Sequence, residues 1–270
     1  MQQIMQNWRG QTVALVPTMG NLHAGHQRLI QHAQSIAQHV VVSIFVNPTQ
    51  FNEDSDFASY PRTLAADLAL LESLQVDAVF VPDEEQIYPS GRTAVEQIRA
   101  PDLADDFCGR CRPGHFDGVC TVVARLFSII PAQYALFGEK DYQQLLIIQR
   151  LVADLKLAPK IIPVATVRDS DGVALSSRNQ HLSPPQRKQA QQLYLALQGA
   201  QQKFALEKIE TIEKDSIDSL ENQCLTVDYF SIRDAADLQY PRHTSTRIVI
   251  MTAARIGNTR LIDNVLFQIV

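Results

Sequence analysis

The chain has 270 residues, 46% of them hydrophobic and 20% charged, with a formal net charge of −5. That length supports one large domain, or a large and a small one, with ample core. The charge excludes a global basic footprint for nucleic acid, so an anionic substrate must be met by local positive charge. No apolar run is long enough to span a bilayer, and residues 1–8 lack the basic and apolar regions of a signal peptide, so the expectation is a cytoplasmic enzyme without a membrane partner.

Strand and helix patterns alternate through the first two-thirds of the chain. Residues 13–16 read as a buried strand, followed by a helix over about 24–38. Residues 40–46 are a β-branched run, 47–51 a loop, and 64–74 a helix. Residues 78–81 are a strand. Residues 117–130 are a helix with apolar positions at Val119, Val122, Val123, Leu126 and Phe127. A strand at 134–137, a helix at 141–155 and a strand at 161–164 complete the series. This alternation predicts an α/β fold with a parallel sheet, whose ligands bind beyond the carboxyl ends of the strands. The pattern changes near residue 168. A polar loop over 168–179 precedes a helix opened by Pro184 and Pro185 and running to about Phe204, a helix over 209–224, and strands at 227–232, 247–252 and 260–269. The expected organisation is a domain over 1–167 and a smaller α+β domain over 168–270.

The stretch from Thr12 to His26 reads as strand, glycine turn and helix start, with His23 and His26 three apart at that start. A helix N-terminus favours anions, and residues at i and i+3 share a face, so both imidazoles can address one phosphate. Gly20 lets the backbone turn, and Gly25 leaves room for close approach. Neither a Walker A loop nor G-x-G-x-x-G is present; the pattern is the H-x-G-H of nucleotidyl-transferring enzymes.

Further candidates lie at other strand ends. In Phe137-Gly-Glu-Lys-Asp-Tyr-Gln-Gln144, Gly138 allows a turn and Lys140 can reach a phosphate. Asp141 suits a helix cap, a ribose hydroxyl or a metal, and Gln144 offers a neutral amide. Leu175-Ser-Ser-Arg178 offers two hydroxyls and a guanidinium to a triphosphate. Asn47 and Gln50 can read the hydroxyls of a small polar substrate, and Arg112 and His115 precede a helix. Cys108, Cys111, His115 and Cys120 follow a C-x2-C-x3-H-x4-C spacing, one residue short of a zinc knuckle, so reduced thiols are expected rather than a metal centre. A zinc-containing binding module around 108–120 and a nucleotidyltransferase acting on a phosphate monoester are the alternatives.

Seven segments in order carry a resemblance: residues 17–26, 45–51, 60–63, 112–116, 137–144, 175–179 and 259–264. Together they cover nearly the whole chain, and it resembles the pantoate–β-alanine ligase (pantothenate synthetase) family. The resemblance implies a Rossmann-like N-terminal domain with a smaller C-terminal lid, a homodimer, and condensation of pantoate with β-alanine through pantoyl adenylate, using ATP with Mg²⁺. It implies that Met19, Gly20, Asn21, Leu22, His23, Ala24, Gly25 and His26 line the ATP site, with His26 as proton donor. Gly138, Glu139, Lys140, Asp141, Val167, Leu175, Ser176, Ser177 and Arg178 supply further ATP contacts, and Gln50 and Gln144 hold pantoate. His23, His26, Lys140 and Arg178 form the expected catalytic set, with Asn47, Arg112 and His115 beside the substrate. Ala24 stands where many relatives carry Glu, at an outward position of the helix.

Overall fold

The computed structural model describes residues 1–52, 54–92, 94, 97–205 and 207–269. Packing divides the chain into two compact units: Met1–Glu139 with Ile147–Ala165, and Lys140–Leu146 with Thr166–Val270.

In chain order the elements up to residue 164 are α1 (Gln2–Asn7), β1 (Val13–Thr18), α2 (Ala24–Ile36), β2 (His39–Ile44), α3 (Asp54–Ser59), α4 (Leu64–Ser73), β3 (Ala78–Phe80), α5 (Glu84–Ile87), α6 (Cys108–Cys111), α7 (His115–Ile129), β4 (Tyr134–Gly138), α8 (Tyr142–Asp154) and β5 (Lys160–Val164). Val13, Ala14, Leu15 and Val16 are consecutive and all buried, as in a strand covered on both faces. Leu29, Ile30 and Ala33 form the inward stripe of α2 and pack with Val40, Val42 and Leu136. The sheet order is β3-β2-β1-β4-β5, with every pair parallel. Strand order therefore reverses between β1 and β4, and their carboxyl ends, Thr18 and Gly138, flank the crevice where open α/β sheets bind ligands.

The expected α/β pattern is present, with shifted boundaries that have local causes. The 40–46 run ends at Ile44, where Phe45 N–H still reaches Thr18 O and Asn47 then caps the 3-10 turn Pro48–Gln50. The helix expected over 24–38 stops at Ile36, because Gln38 and His39 both turn their N–H groups onto Thr12 O. α7 begins two residues early, behind Gly114 at φ +78. The short helices α1, α3, α5 and α6 carry too few residues for a periodicity to be read.

The second unit contains α9 (Pro184–Lys203), α10 (Ile209–Glu221), β6 (Thr226–Asp234), β7 (Arg247–Ile256) and β8 (Thr259–Gln268). Its sheet is antiparallel in the order β6-β7-β8, with Ile250 opposite Ile232 and Val265. Leu193 and Leu197 of α9 and Ile212 and Leu220 of α10 pack with Phe230, Ile232, Ile248 and Ile250.

The polar stretch 168–179 begins as a small hairpin. Arg168 and Ala174 form an antiparallel bridge, and Gly172, at φ +87, donates its N–H to Asp169 O. Arg168 grips Asp263 through two hydrogen bonds of 2.6 and 2.9 Å and lies 3.8 Å over the Tyr194 ring. Arg187 of α9 bonds Asp169 and Asp171 at 2.7 Å each, and its guanidinium holds the Asp171 carboxyl down at about 2. The Asp263 side chain is only 4% exposed, so removing it strands the Arg168 charge. Asp263→Ala is expected to destabilise the second unit by about 3 kcal/mol, read as a lower denaturant midpoint, whereas an unchanged midpoint would show that the pair does not hold the hairpin.

Candidate active site

The chain leaves β1 through a turn that glycine must occupy. Gly20 has φ +80 and Asn21 φ +51. A Cβ on Gly20 would stand 3.0 Å from Asp67 Oδ2 and 3.2 Å from Ile44 Cγ2. Asp67, reaching in from α4, is 3% exposed. Its carboxylate accepts Asn21 N–H at 2.9 Å and Leu22 N–H at 2.8 Å, and the Thr63 hydroxyl donates to it at 3.1 Å. The carboxylate thus satisfies the turn's backbone donors, which have no strand partner. In the sequence Asp67 reads as an ordinary acidic first-turn residue, so nothing there marks its role.

The helix start beyond this turn is capped by its own histidines. His23 is the N-cap of α2 and His26 its third residue. Gly25 N–H donates to His23 Nδ1 at 3.1 Å, and His23 N–H donates to His26 Nδ1 at 3.2 Å. This is a capping box in which two imidazoles stand where Ser and Glu usually do. A backbone N–H can only donate, so both Nδ1 atoms accept, and in the neutral rings the proton is carried on Nε2. The rings lie 4.1 Å apart, tilted by 40°. The sequence suggests a bare helix N-terminus beside two imidazoles; here the imidazoles occupy part of that terminus and present Nε2–H donors from it. Ala24 is exposed.

The turn after β2 is built around Gln50. Asn47 is 1% exposed; its Nδ2 donates to Gln50 Oε1 at 3.1 Å and to Gly118 O at 3.2 Å. Gln50 Nε2 donates to Met19 Sδ at 3.1 Å. The backbone carbonyl of Gln50 accepts from His115 Nδ1 at 2.7 Å and from Arg112 Nη2 at 3.2 Å. A carbonyl only accepts, so His115 carries its proton on Nδ1, and its Nε2 accepts from Arg112 Nη1 at 3.1 Å. The sequence puts Arg112 and His115 beside the substrate; in the structure they hold the Gln50 main chain. Gly118 is a close-approach site: an added Cβ would sit 2.4 Å from Thr49 O and 2.8 Å from Gln50 N.

Gly138 differs from Gly118. It ends β4 opposite Val164 without a left-handed φ, and a Cβ there would meet nothing within 4 Å. The turn that follows, Glu139–Asp141, therefore does not require glycine; the residue leaves open space at the strand end.

Apart from Glu139, which belongs to the first unit, the remaining expected residues lie in the second unit. Lys140, with a side chain 20% exposed, holds Nζ 3.6 Å from Asp141 Oδ2. Its backbone carbonyl accepts from Asn264 Nδ2 at 2.9 Å, and the Tyr142 hydroxyl donates to Ala235 O at 2.7 Å. Gln144 is half-buried. Leu175 N–H donates to Val167 O, and Ser176 caps the 3-10 turn Ser177–His181 with Oγ accepting Arg178 N–H at 3.3 Å. The motif around 175–178 is therefore anchored by the preceding hairpin.

Cys108 and Cys120 are buried, and Cys111 and Cys224 exposed. Burial pushes the Cys120 thiol up to about 12, which keeps it protonated and a poor metal ligand. Among the described residues no group of three or more His, Cys, Asp or Glu is arranged to hold a metal ion.

The two glycines give a paired test. Gly118→Ala is expected to destabilise the protein by about 1–3 kcal/mol, because backbone rather than a flexible side chain must yield. Gly138→Ala is expected to stay within about 0.5 kcal/mol. Equal unfolding midpoints for both variants would contradict the close approach at Gly118.

Comparison with known proteins bears on this geometry. A family model described as pantoate-beta-alanine ligase matches residues 1–266. The chain is 45% identical over 267 residues to pantothenate synthetase of Shewanella loihica, covering 98% of this chain and 95% of the relative. It is 46% identical over 263 residues to that of Idiomarina loihiensis, covering 96% and 94%. Among solved structures it is similar to pantothenate synthetase from Thermus thermophilus, with a TM-score of 0.89, 40% identity and coverage of 97% and 96%. A pantoate-beta-alanine ligase from Francisella tularensis, complexed with beta-gamma ATP and beta-alanine, gives a TM-score of 0.81, 36% identity and coverage of 98% and 95%. With nearly the whole length matched in both sequence and fold, the chain belongs to the pantoate–β-alanine ligase family.

Proposed function

We propose that this protein condenses pantoate with β-alanine at the expense of ATP, through an enzyme-held pantoyl adenylate, releasing AMP and pyrophosphate. The observation that carries the reading is the reciprocal imidazole cap at the switch-point crevice, which engages both Nδ1 atoms and leaves Nε2 as the donor atom of each neutral ring at a helix N-terminus. The Francisella relative, described as complexed with beta-gamma ATP and beta-alanine, supports the same substrates here.

The chemistry suits donors and cations rather than a general base. Pantoate's carboxylate is already an anion. One of its oxygens attacks the α-phosphorus, the bond to the bridging oxygen breaks, and pyrophosphate leaves. The barrier is repulsion between two anions, so positioning and fixed positive charge dominate. His26 and His23 serve as Nε2–H hydrogen-bond donors to the phosphates; Lys140 and Arg178 supply point and planar cationic charge. Met19 to Gly25, Gly138, Glu139, Asp141, Val167 and Leu175 to Ser177 complete the nucleotide contacts. Gln50 and Gln144 bind pantoate. In the second step the neutral amine of β-alanine attacks the acyl carbon, the bond to the AMP oxygen breaks, and the nitrogen's proton passes to the departing phosphate or to water. The adenylate is a mixed anhydride that water destroys, so we assign the second unit the water-excluding role of a lid.

Magnesium fits as an ion carried by the triphosphate. Asp141, about half exposed, is the nearby carboxylate that would join phosphate oxygens and water around it, matching the sparse protein ligation that Mg²⁺ prefers. When bound, the ion neutralises phosphate charge. A cytoplasmic homodimer completes the reading; among the described residues no helix is long and apolar enough to cross a membrane.

The test is AMP release as each substrate is withheld. Turnover that needs both pantoate and β-alanine, with one pantothenate per AMP, is expected; AMP release that ignores pantoate would contradict the reading. In single-turnover measurements His26→Ala is expected to slow adenylate formation about 10²-fold or more, and a near-normal rate would remove His26 from the chemistry.

A further inference from the structure

We infer that Tyr88 is a positioning residue of the acid-substrate site, fixing through Asn47 which end of the Gln50 amide faces the ligand. The inference rests on the pantoate-binding role proposed for Gln50. Tyr88 belongs to none of the segments that carried the sequence resemblance.

The argument follows hydrogen-bond polarity. Gly118 O can only accept and Thr49 N–H can only donate, so Asn47 cannot be turned around. Its Nδ2 faces Gly118 O at 3.2 Å and its Oδ1 faces Thr49 N at 3.3 Å. Asn47 Nδ2 therefore also faces Gln50, and the atom 3.1 Å away must be the acceptor Oε1. That leaves Gln50 Nε2 on the opposite side, resting on Met19 Sδ at 3.1 Å. A thioether is a weak acceptor, which a substrate oxygen improves upon. Gln50 thus presents N–H donors. It selects a hydroxyl or carboxylate lone pair and disfavours a group that only donates, such as the ammonium of β-alanine.

Tyr88 holds the far end of this relay. Its hydroxyl donates to Asn47 Oδ1 at 2.7 Å, the shortest contact to that oxygen, and lies 3.1 Å from Thr49 Oγ1. Tyr88 is 1% exposed, and burial raises its pKa, so the hydroxyl stays a donor. The residue directly follows α5, which is opened by a capping box between Asp83 and Gln86 with bonds of 2.8 and 3.1 Å, and its own N–H returns to Glu84 O at 2.7 Å. Without the Tyr88 donor Asn47 keeps the polarity that Gly118 and Thr49 impose but loses its shortest contact, so Nδ2 is no longer held against Gln50 Oε1 and the Gln50 amide can rotate to present its oxygen instead.

Tyr88→Phe keeps the ring and removes the donor. It is expected to raise the KM for pantoate about tenfold while the KM for ATP stays within about twofold. In a Gln50→Ala background the same substitution is expected to add less than about twofold, because the residue acts through Gln50. A parallel fall in kcat with rises in every KM, or an undiminished tenfold effect in the Gln50→Ala background, would overturn the inference. Asn47→Asp gives a second route. It keeps the acceptor for Tyr88 but places an acceptor against Gln50 Oε1, so a pantoate-specific rise in KM is expected, and an unchanged pantoate KM would again overturn it. The parent reading fails separately, by the absence of pantoate-dependent AMP release from the unsubstituted enzyme.

Discussion

Backbone donors stranded at the carboxyl edge of a parallel sheet set the terms of the first unit. Once the chain leaves β1 and β2 it has no ladder partner, yet its N–H groups turn inward, where an unmet donor costs a few kcal/mol. Side chains meet the need, buried for Asp67 and Asn47 and half-buried for the histidines: Asp67 takes Asn21 and Leu22, Asn47 takes Thr49, and His23 and His26 take the start of α2. Each of these groups then has its polarity imposed by a backbone atom that cannot reverse its role. The functional orientation of the imidazoles and of the Gln50 amide follows from how the backbone is satisfied. Positioning and backbone satisfaction are here one set of contacts, and this is why the site is held on turns without being loose.

The second unit solves a similar problem with charge. The hairpin at 168–174 is held by Arg168 against Asp263 and by Asp169 and Asp171 against Arg187, and the motif carrying Ser176 and Arg178 grows from its end. Asn264, next to Asp263, bonds the backbone carbonyl of Lys140. One short stretch of β8 therefore secures both groups of second-unit residues to which triphosphate contacts are assigned. A motif at 259–264 bearing no chemistry of its own is explained by this anchoring.

Much of the fold was legible from local pattern. Runs such as Val40-Val-Val42 have few alternatives to a buried strand, and the inward stripe of α2 follows the helical period. Gly20 and the histidine pair stood out because a strand end, a turn and a helix start follow one another directly along the chain. Asp67 and Tyr88 were not legible. A buried carboxylate facing two distant N–H groups looks the same in sequence as an acidic first-turn residue, and a tyrosine after a short helix gives no periodic signal. The grouping of 140–146 with the second unit is equally non-local, since it reflects bonds from Lys140 and Tyr142 to Asn264 and Ala235, far along the chain. His115 illustrates a different limit. The resemblance put it beside the substrate, and its bonds to Arg112 and to the Gln50 carbonyl, 65 residues away, left no trace in the sequence.

The central claim is that hydrogen-bond donors and cationic groups allow a carboxylate to attack the α-phosphate before any amine takes part. Exchange of labelled pyrophosphate into ATP measures that step alone, because it requires the adenylate to form and revert. The account predicts exchange that depends on pantoate and proceeds with β-alanine absent. Exchange that needs β-alanine, or none at all in an enzyme that still makes pantothenate, would contradict it.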